Sequence, residues 1–200
     1  MPLADLIAAL ALAVAAPLAA AAPLQLDVQR DGDRFEVRAA VRLAAAPKLV
    51  WDTLTDYERL REFIPGVTSS RVLERDGDRL IVEHRGEFGL LFIARPVRVR
   101  LAIEHRPFTT IVARALPRLA DGSASTLRDF SGRYELAIVR DGEVRLGYEA
   151  RFELADPLPP VIGPLFGTMA MRSTIRADFE ALIREIERRQ SALPSIQRSP

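Results

Sequence analysis

The chain has 200 residues, and setting aside a leader-like start leaves roughly 178, enough to bury a core without metals or cross-links. It contains no cysteine, which excludes structural disulfides, thiolate nucleophiles and Cys-ligated metals. The 28 Lys and Arg nearly balance the 27 Asp and Glu, so the chain lacks the charge bias of a nucleic-acid binder.

Leu6 to Ala22 is an uncharged, alanine-rich run, and Ala19 to Ala22 offer several small-residue cleavage sites. Residues 1–22 therefore read as a signal peptide, cut near Ala20 or Ala21 because Pro23 disfavours a cut directly before it. Export, to the periplasm, is the expected localisation. Met1 to Asp5 carries no Lys or Arg, however, where a leader usually has them. An uncleaved membrane anchor, at the short limit for spanning about 30 Å of hydrocarbon, and a soluble alanine-rich helix are the alternatives.

Phe35, Val37, Ala39, Val41 and Leu43 alternate with more polar residues, the period of a strand with one wet face. Pro47 then opens a helix, where its fixed φ costs nothing, and Val50, Trp51 and Leu54 follow at helical spacing. Asp56 is placed to cap a second short helical turn that Pro65-Gly66 ends. Strands resume at Ser70 to Glu74 and Leu80 to Arg85, around Asp76-Gly77. Further strands are predicted over Leu91 to His105 and Thr109 to Leu116. Phe130 to Val139 and Val144 to Leu154 flank Asp141-Gly142, a second Asp-Gly hairpin signal.

Asp156-Pro157-Leu158-Pro159-Pro160 stops the sheet, and a long helix runs from about Val161 to Arg189. Its predicted buried stripe is Met169, Arg172, Ile175, Phe179, Leu182, Ile183 and Ile186. Residues 190–200 read as a polar, disordered tail. The expected fold over residues 25–189 is α+β: a curved antiparallel sheet of six to seven strands around the C-terminal helix, with two short helices after the first strand. Such a curl tends to leave a gap between sheet and helix.

Val50-Trp51, Leu54-Thr55-Asp56-Tyr57-Glu58-Arg59-Leu60 and Phe63-Ile64-Pro65-Gly66 resemble the START-like polyketide cyclase/dehydrase superfamily (SRPBCC, Bet v 1-like). Phe92, Arg95-Pro96-Val97 and Leu158-Pro159-Pro160 add to the likeness, which within the superfamily is nearest to the coenzyme Q-binding START-domain proteins. The resemblance spans about residues 33 to 188. It implies a helix-grip fold with a deep apolar cavity for a lipid, sterol, isoprenoid quinone or polyketide. A leader sets this chain apart from the intracellular quinone-binding and cyclase members, and points to periplasmic lipid handling.

Little in the sequence suggests chemistry. His84 and His105 are the only histidines, and their strand positions read as surface or edge sites rather than a convergent pair. Asp52 and Asp56 have acid–base spacing, but solvation and capping explain them more simply. No nucleophile elbow or phosphate loop occurs, and Gly86, Gly89 and Gly132 read as strand bends. No cofactor, metal or catalytic residue is expected.

What remains is a cavity. Its candidate lining is Trp51, Tyr57, Phe63, Val99, Leu101, Tyr134, Leu136, Tyr148, Phe152, Phe166, Met169 and Phe179, most of which would also serve an ordinary core. Tyr134 and Tyr148 stand out, because a buried phenol needs a partner that a ligand carbonyl can supply. Arg172 is a candidate for an acidic head group, its alternative being a structural ion pair. Leu158 to Phe166 reads as a mobile gate or a lip making transient membrane contact, the alternative being a plain seal on one end of the core. The expected function is carriage of a hydrophobic small molecule. The alternatives are a cyclase or dehydratase in the same cavity, or an interaction module with a filled core.

Overall fold

Every second residue of Arg34–Leu43 is buried, as the alternation predicts, and the same holds along Glu143–Leu154 except at half-buried Tyr148. The two strands pair antiparallel so that Phe35 meets Phe152, Val37 meets Ala150 and Val41 meets Leu146. The rings of Phe35 and Phe152 stack with centroids 5.4 Å apart. Such cross-strand pairs fix both register and the face that turns inward.

The computed structural model describes residues 23–90, 93–156 and 162–193, with the side chains of 88–95 and 162–166 outside that description. The strands are β1 (Gln25–Asp31), β2 (Arg34–Leu43), β3 (Val67–Asp76), β4 (Arg79–Leu90), β5 (Ile93–Arg106), β6 (Thr110–Leu116), β7 (Leu127–Arg140) and β8 (Glu143–Leu154). The helices are α1 (Pro47–Leu54), α2 (Leu60–Phe63), which follows a 3₁₀ turn at Tyr57–Arg59, and α3 (Ile162–Ser191). All strands join one antiparallel sheet in the order β1-β2-β8-β7-β6-β5-β4-β3. The leader and cleavage sites predicted in residues 1–22 lie outside the described residues, as does the tail from 194 onward.

The α+β helix-grip architecture is the expected one, with one strand more. β1 pairs with β2 through a third Asp-Gly turn, where Gly32 takes φ +58°. This edge strand fully buries only Val28, so it gives little periodicity, and the short helices follow the second strand rather than the first. Pro47 stands in the first turn of α1, as expected. Asp56 makes no capping hydrogen bond. Its carboxylate instead lies 2.8 Å from Arg189 Nη2, which ties the 3₁₀ turn to α3.

The inward stripe of α3 is Met171, Ile175, Phe179, Leu182 and Ile186, a 3.6-residue period that keeps one face on the sheet. Burying each such side chain contributes about 1.5–3 kcal/mol relative to exposure. Polar ties hold the helix at both ends. Gln190 Oε1 accepts the Ala46 N–H at 2.9 Å, so the helix runs past Arg189 with Gln190 at work. Arg189 also lies over the Phe63 ring and binds Glu185, whose carboxyl is pulled down to about 2 by Arg188 and Arg189. At the other end Arg172 reaches the β1 carbonyls of Leu26 and Val28. Among the described residues no helix is long and apolar enough to cross a membrane.

Candidate ligand cavity

The described side chains do not fill the grip. Between the sheet and α3 lies a cavity of about 350 Å³. Its apolar wall comes from alternate residues of the central strands, among them Val99, Leu101, Ile111 and Phe152, and from Met171, Ile175 and Phe179 on α3. A continuous hydrophobic core adjoins it on the α1 side, where Trp51, Leu136, Leu146 and Ile186 pack without facing the space.

Two polar groups interrupt the apolar wall. Tyr134 and Tyr148 are direct cross-strand partners on β7 and β8, and their rings approach to 4.5 Å against Phe179. Burial, then the neighbouring charge of Asp178, pushes the Tyr148 phenol well above its ordinary value, and burial does the same to Tyr134. Both are therefore neutral hydrogen-bond donors at any physiological pH. Asp178, on α3, lines the same space, and desolvation raises its carboxyl while a hydrogen bond from Gly66 N–H opposes the rise.

The second group is built around Tyr57. Its hydroxyl lies 2.7 Å from His105 Nε2, and its ring centroid is 6.4 Å from that of His84. His84 lines the cavity, its Nδ1 has no partner among the described residues, and burial depresses it to about 4, so the imidazole is neutral. The reading of the histidines as unrelated surface or edge residues is thus overturned. His84, paired with Val99 across the β4–β5 ladder, and His105, near the end of β5, both reach one tyrosine, which spacing along the chain does not display. Among the described residues no group of three metal-binding side chains comes together.

One wall is a backbone clasp. Pro65-Gly66 lies between Gly86 of β4 and Asp178 of α3, with Gly66 N–H donating to Asp178 Oδ1 and Glu87 N–H donating to Gly66 O. A Cβ on Gly86 would collide with the Gly66 carbonyl, and one on Gly66 would lie 2.6 Å from Asp178 Oδ2. Gly86 therefore marks a close approach between segments rather than a simple bend.

Of the predicted lining, Tyr57, Val99, Leu101, Tyr134, Tyr148, Phe152 and Phe179 face the cavity. Trp51 and Leu136 belong to the packed core, and Phe63 lies beneath Arg189. Met169 is a correction: it is 59% exposed, because the true stripe starts at Met171, two positions on. Arg172 is another: its guanidinium sits over the edge strand, 3.5 Å from Asp27, and takes the structural ion pair rather than a cavity role. The Phe166 side chain and residues 157–161 of the gate segment lie outside the described residues. Asp52 pairs with exposed Lys48. Asp178 and His84 were missed, although Asp178 sits three residues after Ile175, on the helical stripe itself.

A family described as polyketide cyclase / dehydrase and lipid transport matches residues 34–190. Among solved structures, the Zhui aromatase/cyclase from Streptomyces sp. R1128 superposes with a TM-score of 0.63 at 19% identity, covering 78% of this chain and 95% of that one. A START superfamily protein from Mycobacterium smegmatis gives 0.60 at 15% identity, over 76% and 97%. A STAR-related lipid transfer protein from Xanthomonas axonopodis gives 0.57 at 18% identity, over 81% and 98%. At these identities the likeness establishes the fold. No curated protein sequence matches significantly.

Proposed function

This chain belongs to the polyketide cyclase / dehydrase and lipid transport family, and from that premise we propose that it binds and carries a hydrophobic small molecule in the cavity between sheet and helix. The observation that carries the reading is the unfilled apolar space of about 350 Å³ in a domain long enough to have packed it shut. An apolar guest there gains roughly 25 cal/mol for each Å² removed from water, before association costs. Carriage needs no further chemistry. Lipids, isoprenoid quinones and polyketide-like molecules are the candidate cargoes. The alanine-rich start supports export to the periplasm as the setting, with the leader removed near Ala20 or Ala21.

The test is extraction of the protein purified from its own host, paired with an Ala113→Phe variant that fills the cavity. Wild type should release an apolar molecule by native mass spectrometry, and the filled variant should not. Repeated recovery of empty wild-type protein, with no lipid binding in vitro, sinks the carrier.

A cyclase-type enzyme is the second reading, favoured by the Tyr57–His105 hydrogen bond beside the cavity. Turnover lost in Tyr57→Phe with binding retained would establish it over simple carriage.

A further inference from the structure

The polar groups of the cavity carry information about the head of the guest. Tyr134 and Tyr148 present two hydroxyls to the space from adjacent strands, within a 4.5 Å ring pair. Burial and the nearby Asp178 act on both phenols, and among the described residues neither hydroxyl has a hydrogen-bond partner. A guest carbonyl oxygen between them can accept from either hydroxyl, a bond that an apolar guest cannot offer.

Free positive charge is missing from the described part of the same wall. Among the described residues that line the cavity, Arg85 is the lone cation. Its guanidinium is committed to Glu83, at 3.1 Å from Nη2. Glu83 is itself 1% exposed and is held by the Ala120 N–H and by Arg71. His84 stays neutral. Asp178, an acid lining the same space, acts electrostatically on both phenols. An ionised carboxylate or phosphate entering here would lose its water, find no free counter-charge among the described lining residues and face a like charge.

We propose that the cavity selects an uncharged apolar molecule bearing a carbonyl oxygen, seated between the Tyr134 and Tyr148 hydroxyls, and rejects lipids with ionised head groups. The inference rests on the carrier reading and adds a charge rule to it. Asp178 is the excluding group and the two tyrosines are the selecting ones.

Three probes of matched length separate the ideas: methyl decyl ketone, dodecanoate and dodecane, each scored at pH 8 by calorimetric titration and by the rise in unfolding temperature. The ketone should bind at least tenfold more tightly than dodecanoate. Tyr148→Phe and Tyr134→Phe, which keep the rings, should each weaken the ketone about three- to tenfold and leave dodecane unchanged. Asp178→Asn should bring dodecanoate towards the ketone. Dodecanoate binding as tightly as the ketone overturns the proposal. So does equal binding of ketone and dodecane that ignores both Tyr→Phe changes, although the carrier reading then survives. Failure of all three probes to bind overturns the carrier reading as well.

Discussion

Asp178 and Gly66 are 112 residues apart in sequence, yet the carboxylate of one accepts the backbone N–H of the other at 2.8 Å. That bond joins α3 to the loop before β3 and closes one wall of the cavity. Desolvation raises the Asp178 carboxyl. Because the unfolded chain ionises at lower pH, whatever this group contributes is largest under acid conditions and declines as pH rises through its folded value. Asp178→Asn keeps an acceptor without the buried charge, so at pH 7 it should match or exceed wild-type stability. Asp178→Ala loses the acceptor and should cost about 1 kcal/mol, with faster hydrogen exchange at the Gly66 amide. Equal exchange in all three proteins would contradict the clasp.

Gly86 is the other half of that contact. Any Cβ there meets the Gly66 carbonyl, which is backbone and cannot swing aside. Gly86→Ala should destabilise by about 1–3 kcal/mol, as overpacking does. Gly142→Ala, at a hairpin tip with open space around it but φ +72°, should cost less, about 1 kcal/mol. Denaturant titration of both variants measures the difference. A reversed order would mean that the loop relaxes freely.

Acid should loosen the fold partly through His84. The unfolded imidazole protonates near pH 6.5, while the folded one resists until about 4 because burial disfavours its charge. Between those values the unfolded state binds more protons, so stability falls as pH falls through the window, by up to about 3 kcal/mol in all. His105, lowered mainly by burial, acts in the same direction. In His84→Gln the loss of unfolding temperature between pH 7 and pH 4.5 should be visibly smaller than in wild type. Parallel curves would show that the imidazole is hydrated.

Arg172 is a strap on an edge strand, and its removal should leave the cavity alone. Arg172→Leu is expected to cost at most about 1 kcal/mol, since the guanidinium is half exposed and its contacts run from 3.4 to 3.5 Å. Ligand affinity should stay within twofold. A large loss of affinity at unchanged stability would return Arg172 to the role its sequence position suggests.

Strand alternation made most of the sheet legible, as Phe35 to Leu43 and Val144 to Phe152 illustrate, because period two reports directly which face is dry. β1 escaped because an edge strand that fully buries one residue has no face to report. The aromatic wall was found for the same reason as the sheet: Tyr134, Tyr148 and Phe152 share the parity of their buried neighbours. His84 and His105 were misjudged because their meeting on Tyr57 is set by how β4, β5 and the 3₁₀ turn converge, and no spacing encodes that. On α3 the amphipathic period is right, but its phase is not: Met169 and Arg172 flank Met171, where the stripe starts. Helical phase is easily misplaced where Gly163, Pro164 and Gly167 blur the first turns.

Trp51 is the chain's single tryptophan. Its indole meets the His105 ring edge-on with centroids 5.4 Å apart, and His105 holds the Tyr57 hydroxyl at the cavity wall. An occupant that disturbs Tyr57 should therefore change what a fluorophore sees two contacts away. If the carrier reading holds, tryptophan fluorescence should follow loading in real time without a label.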